Sequence, residues 1–165
     1  MSTIQLSTSK GDITIKLDPE KAPISTKNFL EYVTAGHYDG TIFHRVISTF
    51  MIQGGGFTPD MKQKKTNATI KNEWQNGLKN KRGTIAMARL GGNADSATCQ
   101  FFINVVDNDF LDRPQPDGAA YAVFGAVTSG LEVVDAIKAV RTGTKAGMGD
   151  VPLEPVVINS VKVVA

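Results

Sequence analysis

At 165 residues, with 41% hydrophobic content and a formal net charge of +2, the chain fits one globular domain over residues 1–165, of a size that buries about two-thirds of its unfolded surface. No apolar run approaches the roughly 20 residues a membrane span requires, and the start MSTIQLSTSKGDI lacks the basic-then-apolar order of a secretory signal. Cys99 is the single cysteine, which excludes an internal disulfide and points to a reducing cytoplasm.

Residues Thr3 to Ser7 and Asp12 to Leu17 alternate apolar with polar around Ser9-Lys10-Gly11, which predicts a hairpin. Pro23 suits the first position of a helix, Phe29, Leu30 and Val33 give it an apolar stripe, and Gly36 stops it, so a helix is expected from Pro23 to about Ala35. Asp39-Gly40 then turns the chain into a strand pair around Arg45. Asp60 to Arg82 is polar and without clear period, and reads as a long loop with a short strand near Ile70. Thr84 to Ala88, Gln100 to Val105 and Ala122 to Val127 are further strands. A second helix starts after Ser129-Gly130 and ends near Arg141, and Val156 to Val164 closes the chain as a β-branched strand.

About eight short strands with two helices far apart in sequence imply a mainly β protein, and a closed eight-stranded antiparallel barrel capped by the two helices leaves no exposed edge. Lys62, Lys64, Lys65, Lys71, Lys79, Lys81 and Arg82 crowd the long loop, but Trp74 is the only aromatic among them and no nucleic-acid motif accompanies them. They read as a solvated surface, with nucleic acid not expected as a partner.

The segment FHRVISTFMIQGGGF, Phe43 to Phe57, sets an arginine in a run that otherwise reads as buried strand. It has no acid between Asp39 and Asp60 with which Arg45 could pair locally. A guanidinium in apolar surroundings needs a partner or a ligand, and its planar donor fork stays charged at any working pH. Arg45 and Gln53 are therefore expected to point into a shared groove. His44, one residue from Arg45, faces the opposite side and reads as a hydrogen-bonded structural residue.

Other chemistries find little support. His37 and His44 lie at ligand spacing neither from each other nor from Cys99, so no metal is expected. No Gly-Lys-Ser/Thr follows Gly54 to Gly56, which read as packing or groove floor, and neither Ser96 nor Cys99 sits in a nucleophile elbow. What remains is an arginine, a glutamine and an apolar surface. Few reactions need so little, and rotation about an Xaa-Pro amide is one: no covalent bond breaks, and the barrier is the resonance that twisting removes.

Three blocks, FHRVISTFMIQGGGF, GTIAMAR followed by SATCQFFINVVDNDFLD, and YAVFGAVTSGLEVVDAI, resemble the cyclophilins, in particular the small bacterial cyclophilin-type prolyl isomerases, over essentially the whole chain. The resemblance implies a cytoplasmic peptidyl-prolyl cis-trans isomerase that assists folding and needs no cofactor. By position Arg45, with Gln53 and Phe50 beside it as catalytic residues, matches the family arginine that contacts the proline imide nitrogen or its carbonyl. Phe50, Met51, Phe102 and Leu111 match the proline pocket, Gln53 and Gln100 its polar rim, and Ala88, Arg89 and Leu90 the segment whose main chain binds the residue before proline. Three positions depart from the many-membered pattern. Phe110 stands where many eukaryotic members have tryptophan, which implies weakened cyclosporin binding. Tyr121 replaces a rim histidine, and Arg89 replaces an asparagine. The expected partners are proline-containing, unfolded or folding polypeptides, with the protein itself a monomer. The rival reading is a proline-peptide binding module or chaperone with negligible turnover.

Overall fold

The computed structural model describes residues 2–165. Strands β1 (Ser2–Thr8) and β2 (Gly11–Leu17) form the expected hairpin, with Ile4 opposite Ile15 and Leu6 opposite Ile13, so that one face of the pair is wholly apolar. Helix α1 (Pro23–Thr34) follows, its Phe29, Tyr32 and Val33 buried. Ala22, at its N-cap, supplies no side-chain cap. Glu73 does so from the long loop: its carboxylate accepts the N–H of Ile24 at 3.1 Å and of Ser25 at 2.7 Å. This satisfies donors that the first turn leaves open and places negative charge at the positive end of the helix dipole.

Strands β3 (Thr41–Ile42), β4 (Arg45–Ile47), β5 (Met51–Gly54), β6 (Thr84–Met87), β7 (Phe101–Asn104) and β8 (Val123–Ser129) precede helix α2 (Leu131–Lys138). Strands β9 (Thr142–Lys145), β10 (Met148–Pro152) and β11 (Val157–Val163) follow it. Nine strands make one antiparallel sheet in the order β3-β11-β1-β2-β8-β6-β7-β5-β4, and β9 with β10 makes a separate ribbon. The terminal strands β1 and β11 pair, as barrel closure predicts.

The closed eight-stranded barrel itself is not what forms. The sheet curls far enough for Ile4, Ile52, Ile103 and Ile158 to share one core, but its ladder is open between β3 and β4. The reason is topological. Those two edges are consecutive pieces of one chain, separated only by Phe43 and His44, and cannot pair with each other. The seam is held instead by single main-chain bonds, Ile42 N–H to Phe57 C=O at 3.0 Å and Phe43 N–H to Val156 C=O at 3.0 Å.

The β9–β10 ribbon has no counterpart in the sequence reading. Its turn has positive φ at Ala146 (51°) and Gly147 (78°), the requirement of a type I′ hairpin, but Ala146 occupies a place where Asn or Asp would have announced it. The long loop is held by polar contacts, including Lys64 Nζ to His37 C=O at 2.6 Å and Asn67 N–H to the Tyr32 hydroxyl at 2.9 Å. The strand expected near Ile70 is a single bridge to Ala97. Of the basic residues in this stretch, Lys62 pairs with Asp60, Lys81 with Asp109 and Arg82 with Asp135.

His44 is buried with its ring centroid 4.5 Å from that of Phe57, as its position opposite Arg45 requires. The hydrogen bond expected of it is missing: Nδ1 has no partner among the described residues. Burial first, and the neighbouring Arg45 charge second, push its pKa down to about 4.

Two measurements test this packing. Glu73→Ala should lower the unfolding free energy in urea by about 1 kcal/mol, through loss of the α1 cap. His44 keeps its neutral form when folded, so between pH 6.5 and 4 the unfolded chain binds more protons than the native one. Stability should then fall with pH across that window by up to ~3 kcal/mol, and the slope should flatten in His44→Leu.

Candidate active site

Register builds the site. Across the sheet the Cα partners run Arg45 to Gln53, Gln53 to Phe102, Phe102 to Ala86, and Ala86 to Val123. Side chains alternate faces along a strand, so these five stand in one row on the outer face. The adjacent row, Val46, Ile52, Ile103 and Ile85, points inward and is buried in the main core. The outer face carries its own apolar cluster of Met51, Ala86, Ala88, Phe102, Leu111 and Val123, with Phe50 and Tyr121 packed at its edge. A sheet with apolar groups on both faces needs a cover or a ligand for the outer one.

A cavity of about 240 Å³ opens over this cluster. Of the residues singled out from sequence, Arg45, Phe50, Met51, Gln53, Ala88, Arg89, Phe102, Phe110, Leu111 and Tyr121 line it. Gln100 stands just behind, accepting the Gln53 Nε2 donor at 2.9 Å. Leu90 lies outside, 68% exposed. A larger depression of about 680 Å³ over β2, β6 and β8 is rimmed by charges of both signs, from Lys16, Asp18, Glu20, Lys79 and Lys81, and holds neither an arginine nor an aromatic ring.

The triple glycine makes room. A Cβ on Gly56 would lie 2.6 Å from the Gln100 side chain, and one on Gly54 would lie 2.7 Å from the Ile42 carbonyl oxygen. Gly55 combines a φ of +93° with ring atoms of Tyr38 and Phe101 within 3 Å of its missing Cβ. The segment is thus both packing and floor.

Arg45 is exposed on β4 opposite Gln53, and among the described residues no carboxylate lies within 4 Å of it. Its fork is open to a ligand at the mouth of an apolar pocket. Phe110, 51% exposed, lies with its ring centroid 5.6 Å from that of Phe50 and widens the apolar rim. The lining contains no histidine, thiol, hydroxyl nucleophile other than the Tyr121 phenol, or carboxylate. Cys99 is buried, and burial raises its pKa.

Several positioning residues went unremarked in the sequence. Asn104, Asn80 and Asn108 are almost fully buried behind the pocket. Asn104 Nδ2 donates to Asn80 Oδ1 at 3.0 Å and to Thr84 Oγ1 at 2.9 Å, while its Oδ1 accepts from Asn108 Nδ2 at 2.7 Å. Asn108 also donates to the Phe50 carbonyl at 2.9 Å, and Asn80 to Asp112 at 2.9 Å and to the Tyr121 carbonyl at 3.2 Å. The network therefore joins the three pieces of chain that carry Phe50, Leu111 and Tyr121. The one legible signal was Asn104, a strand-depleted residue ending the apolar run FFIN. Gln115 also lines the cavity, and Asp117 grips Arg89. Neither stands in a recognisable pattern.

The family profile described as "Cyclophilin type peptidyl-prolyl cis-trans isomerase/CLD" matches residues 3–163. The chain is 60% identical over 165 residues to the peptidyl-prolyl cis-trans isomerase cyp18 of Streptomyces antibioticus, covering 99% of each protein. It is 58% identical over 158 residues to peptidyl-prolyl cis-trans isomerase B of Escherichia coli, covering 94% of this chain and 96% of that one. In three dimensions it is similar to a cyclophilin-type isomerase of Cryptosporidium parvum crystallised in the presence of the dipeptide Ala-Pro. The TM-score there is 0.79 at 24% identity, over 99% of both chains. The chain therefore belongs to the cyclophilin-type peptidyl-prolyl cis-trans isomerases, enzymes that rotate Xaa-Pro peptide bonds.

Proposed function

We propose that Arg45 is the catalytic group of this isomerase and that the outer-face groove is where the reaction occurs. The observation that carries this reading is an arginine without an acidic partner, set beside Gln53 at the mouth of an apolar pocket. The proline ring would enter among Phe50, Met51, Phe102 and Leu111, which hold one side of the rotating bond still. Gln53, fixed by its bond to Gln100, would hold a substrate carbonyl at the rim. As the amide twists, resonance is lost and the lone pair localises on the imide nitrogen. A guanidinium N–H aimed at that nitrogen then binds the twisted state more strongly than the planar one, which is what acceleration requires.

The Ala-Pro dipeptide present with the Cryptosporidium protein is of the class such a pocket would take. For the present chain we infer proline-containing polypeptides as substrates, folding assistance as the consequence, and one monomeric domain at work in the cytoplasm, without a nucleic-acid partner. Among the described residues no helix is long and apolar enough to cross a membrane.

Arg45→Ala should lower kcat/KM by roughly 10²- to 10³-fold, about 2.7 to 4 kcal/mol, as loss of one preorganised donor does elsewhere. Arg45→Lys should also be impaired, because a point charge cannot reproduce the planar fork. Exchange NMR on a proline peptide reads both binding and turnover. Parental exchange rates in either variant would remove Arg45 from the mechanism, and broadening without accelerated exchange in the wild type would select a mere binding module. Phe110→Trp, which returns an indole donor to the rim, should tighten cyclosporin binding by roughly two- to tenfold, the worth of one net hydrogen bond, as read by titration calorimetry.

A further inference from the structure

Arg45 and Arg89 border the same groove and differ in what holds them. The Arg89 side chain is 2% exposed and that of Asp117 7%. Nη1 of Arg89 donates to Asp117 Oδ2 and to the Leu90 carbonyl, and Nη2 to Asp117 Oδ1 at 3.1 Å and the Ala119 carbonyl at 2.8 Å. Its guanidinium carbon lies 4.6 Å from the centroid of the Tyr121 ring. Asp117 in turn accepts the N–H of Gly92 and of Ala119, each at 3.2 Å. One buried carboxylate thus joins the segment after β6 to the loop before β8, and its pKa is lowered first by the bond from Arg89.

The Arg89 main chain is in the opposite condition. The N–H groups of its neighbours are engaged: Ala88 N–H donates to the Gln100 carbonyl at 3.1 Å and Leu90 N–H to Ser96 Oγ at 2.7 Å. The N–H and C=O of Arg89 itself have no partner among the described residues, and the residue keeps surface exposure that its buried side chain does not supply. An extended segment with open main-chain groups at a groove edge is a template for pairing with a second extended chain. Open backbone binds well only when its direction is fixed beforehand. A bidentate guanidinium–carboxylate pair is the side-chain contact best suited to fix it. Such a pair is a weak source of stability when buried, since desolvation opposes it.

We infer that Asp117 is a positioning residue for catalysis: through Arg89 it presets the main chain of Ala88–Leu90 against which the substrate amide preceding the Xaa-Pro unit pairs. This rests on the groove being the isomerase site. Asp117 touches no substrate, and its effect is confined to the part of the peptide on the N-terminal side of proline.

The test uses the full chain and two peptides. In one, several residues precede Xaa-Pro. In the other, Xaa is the chain terminus and no amide precedes it. Asp117→Asn keeps the shape and loses the charge and the paired acceptors. On the long peptide it should lose roughly five- to twentyfold in kcat/KM, mostly through KM, the range expected when one or two main-chain hydrogen bonds are no longer preorganised. On the short peptide it should stay within about twofold of wild type, because the misplaced groups have nothing to bind. An equal loss on both peptides, a loss confined to kcat, or no loss at all would overturn the positioning role. Asp117→Asn combined with Arg89→Met, which removes both buried charges so that neither is left without a partner, carries the same comparison if Asp117→Asn alone does not fold. A wild type that accelerates neither peptide would instead defeat the isomerase assignment, a result distinct from any of these, and the positioning role with it.

Discussion

The alternation of side chains along β4, β5, β7 and β6 is the constraint on which the molecule turns. With Arg45 opposite Gln53 and Gln53 opposite Phe102, the outer row builds a groove while the inner row of Val46, Ile52, Ile103 and Ile85 fills the core. A slip of one residue in register would bury the guanidinium and expose three isoleucines and a valine. Stability and function therefore select the same register. The site is as rigid as the core because it is the reverse side of the same strands.

Close approach is the second requirement. Gln100 reaches Gln53 only because Gly56 has no Cβ, and β5 passes beside Ile42 and Phe43 only because Gly54 has none. The open seam of the sheet lies at this place, where β3 and β4 are one continuous chain. Main-chain bonds from Ile42 and Phe43 and the glycine contacts do there what a ladder does elsewhere. Behind the pocket, the Asn80–Asn104–Asn108 network ties Phe50 and Tyr121 to the 3₁₀ turn Asp109–Asp112 that carries Phe110 and Leu111. The pocket walls come from distant stretches of chain and hold together through buried amides, whose unsatisfied state would be costly.

Electrostatics divides the two groove arginines between tasks. Arg45 keeps its donors for a ligand, and Arg89 spends its own on Asp117, Leu90 and Ala119. Residue type does not separate them, since both are arginines lining one cavity. What separates them is whether a carboxylate is brought within reach by the fold, and for Arg89 that carboxylate comes from 28 residues away.

Local order was legible in the chain because it depends on neighbours in sequence: the β1–β2 hairpin, α1 from Pro23, the strands around Arg45, Phe102 and Phe124, and the outward placement of Arg45 against His44 all follow from periodicity and turn residues. The three motif blocks extended that reading to the family and to most of the residues lining the cavity. Long-range pairing was not legible. The sequence could not say that the sheet stays open between β3 and β4, that Ala146-Gly147 closes a ribbon without an Asn-Gly signal, that Glu73 caps a helix 48 residues before it, or that Asp117 meets Arg89. Each of these is a contact between segments that share no local pattern, so only the folded chain, which sets their distances, decides it.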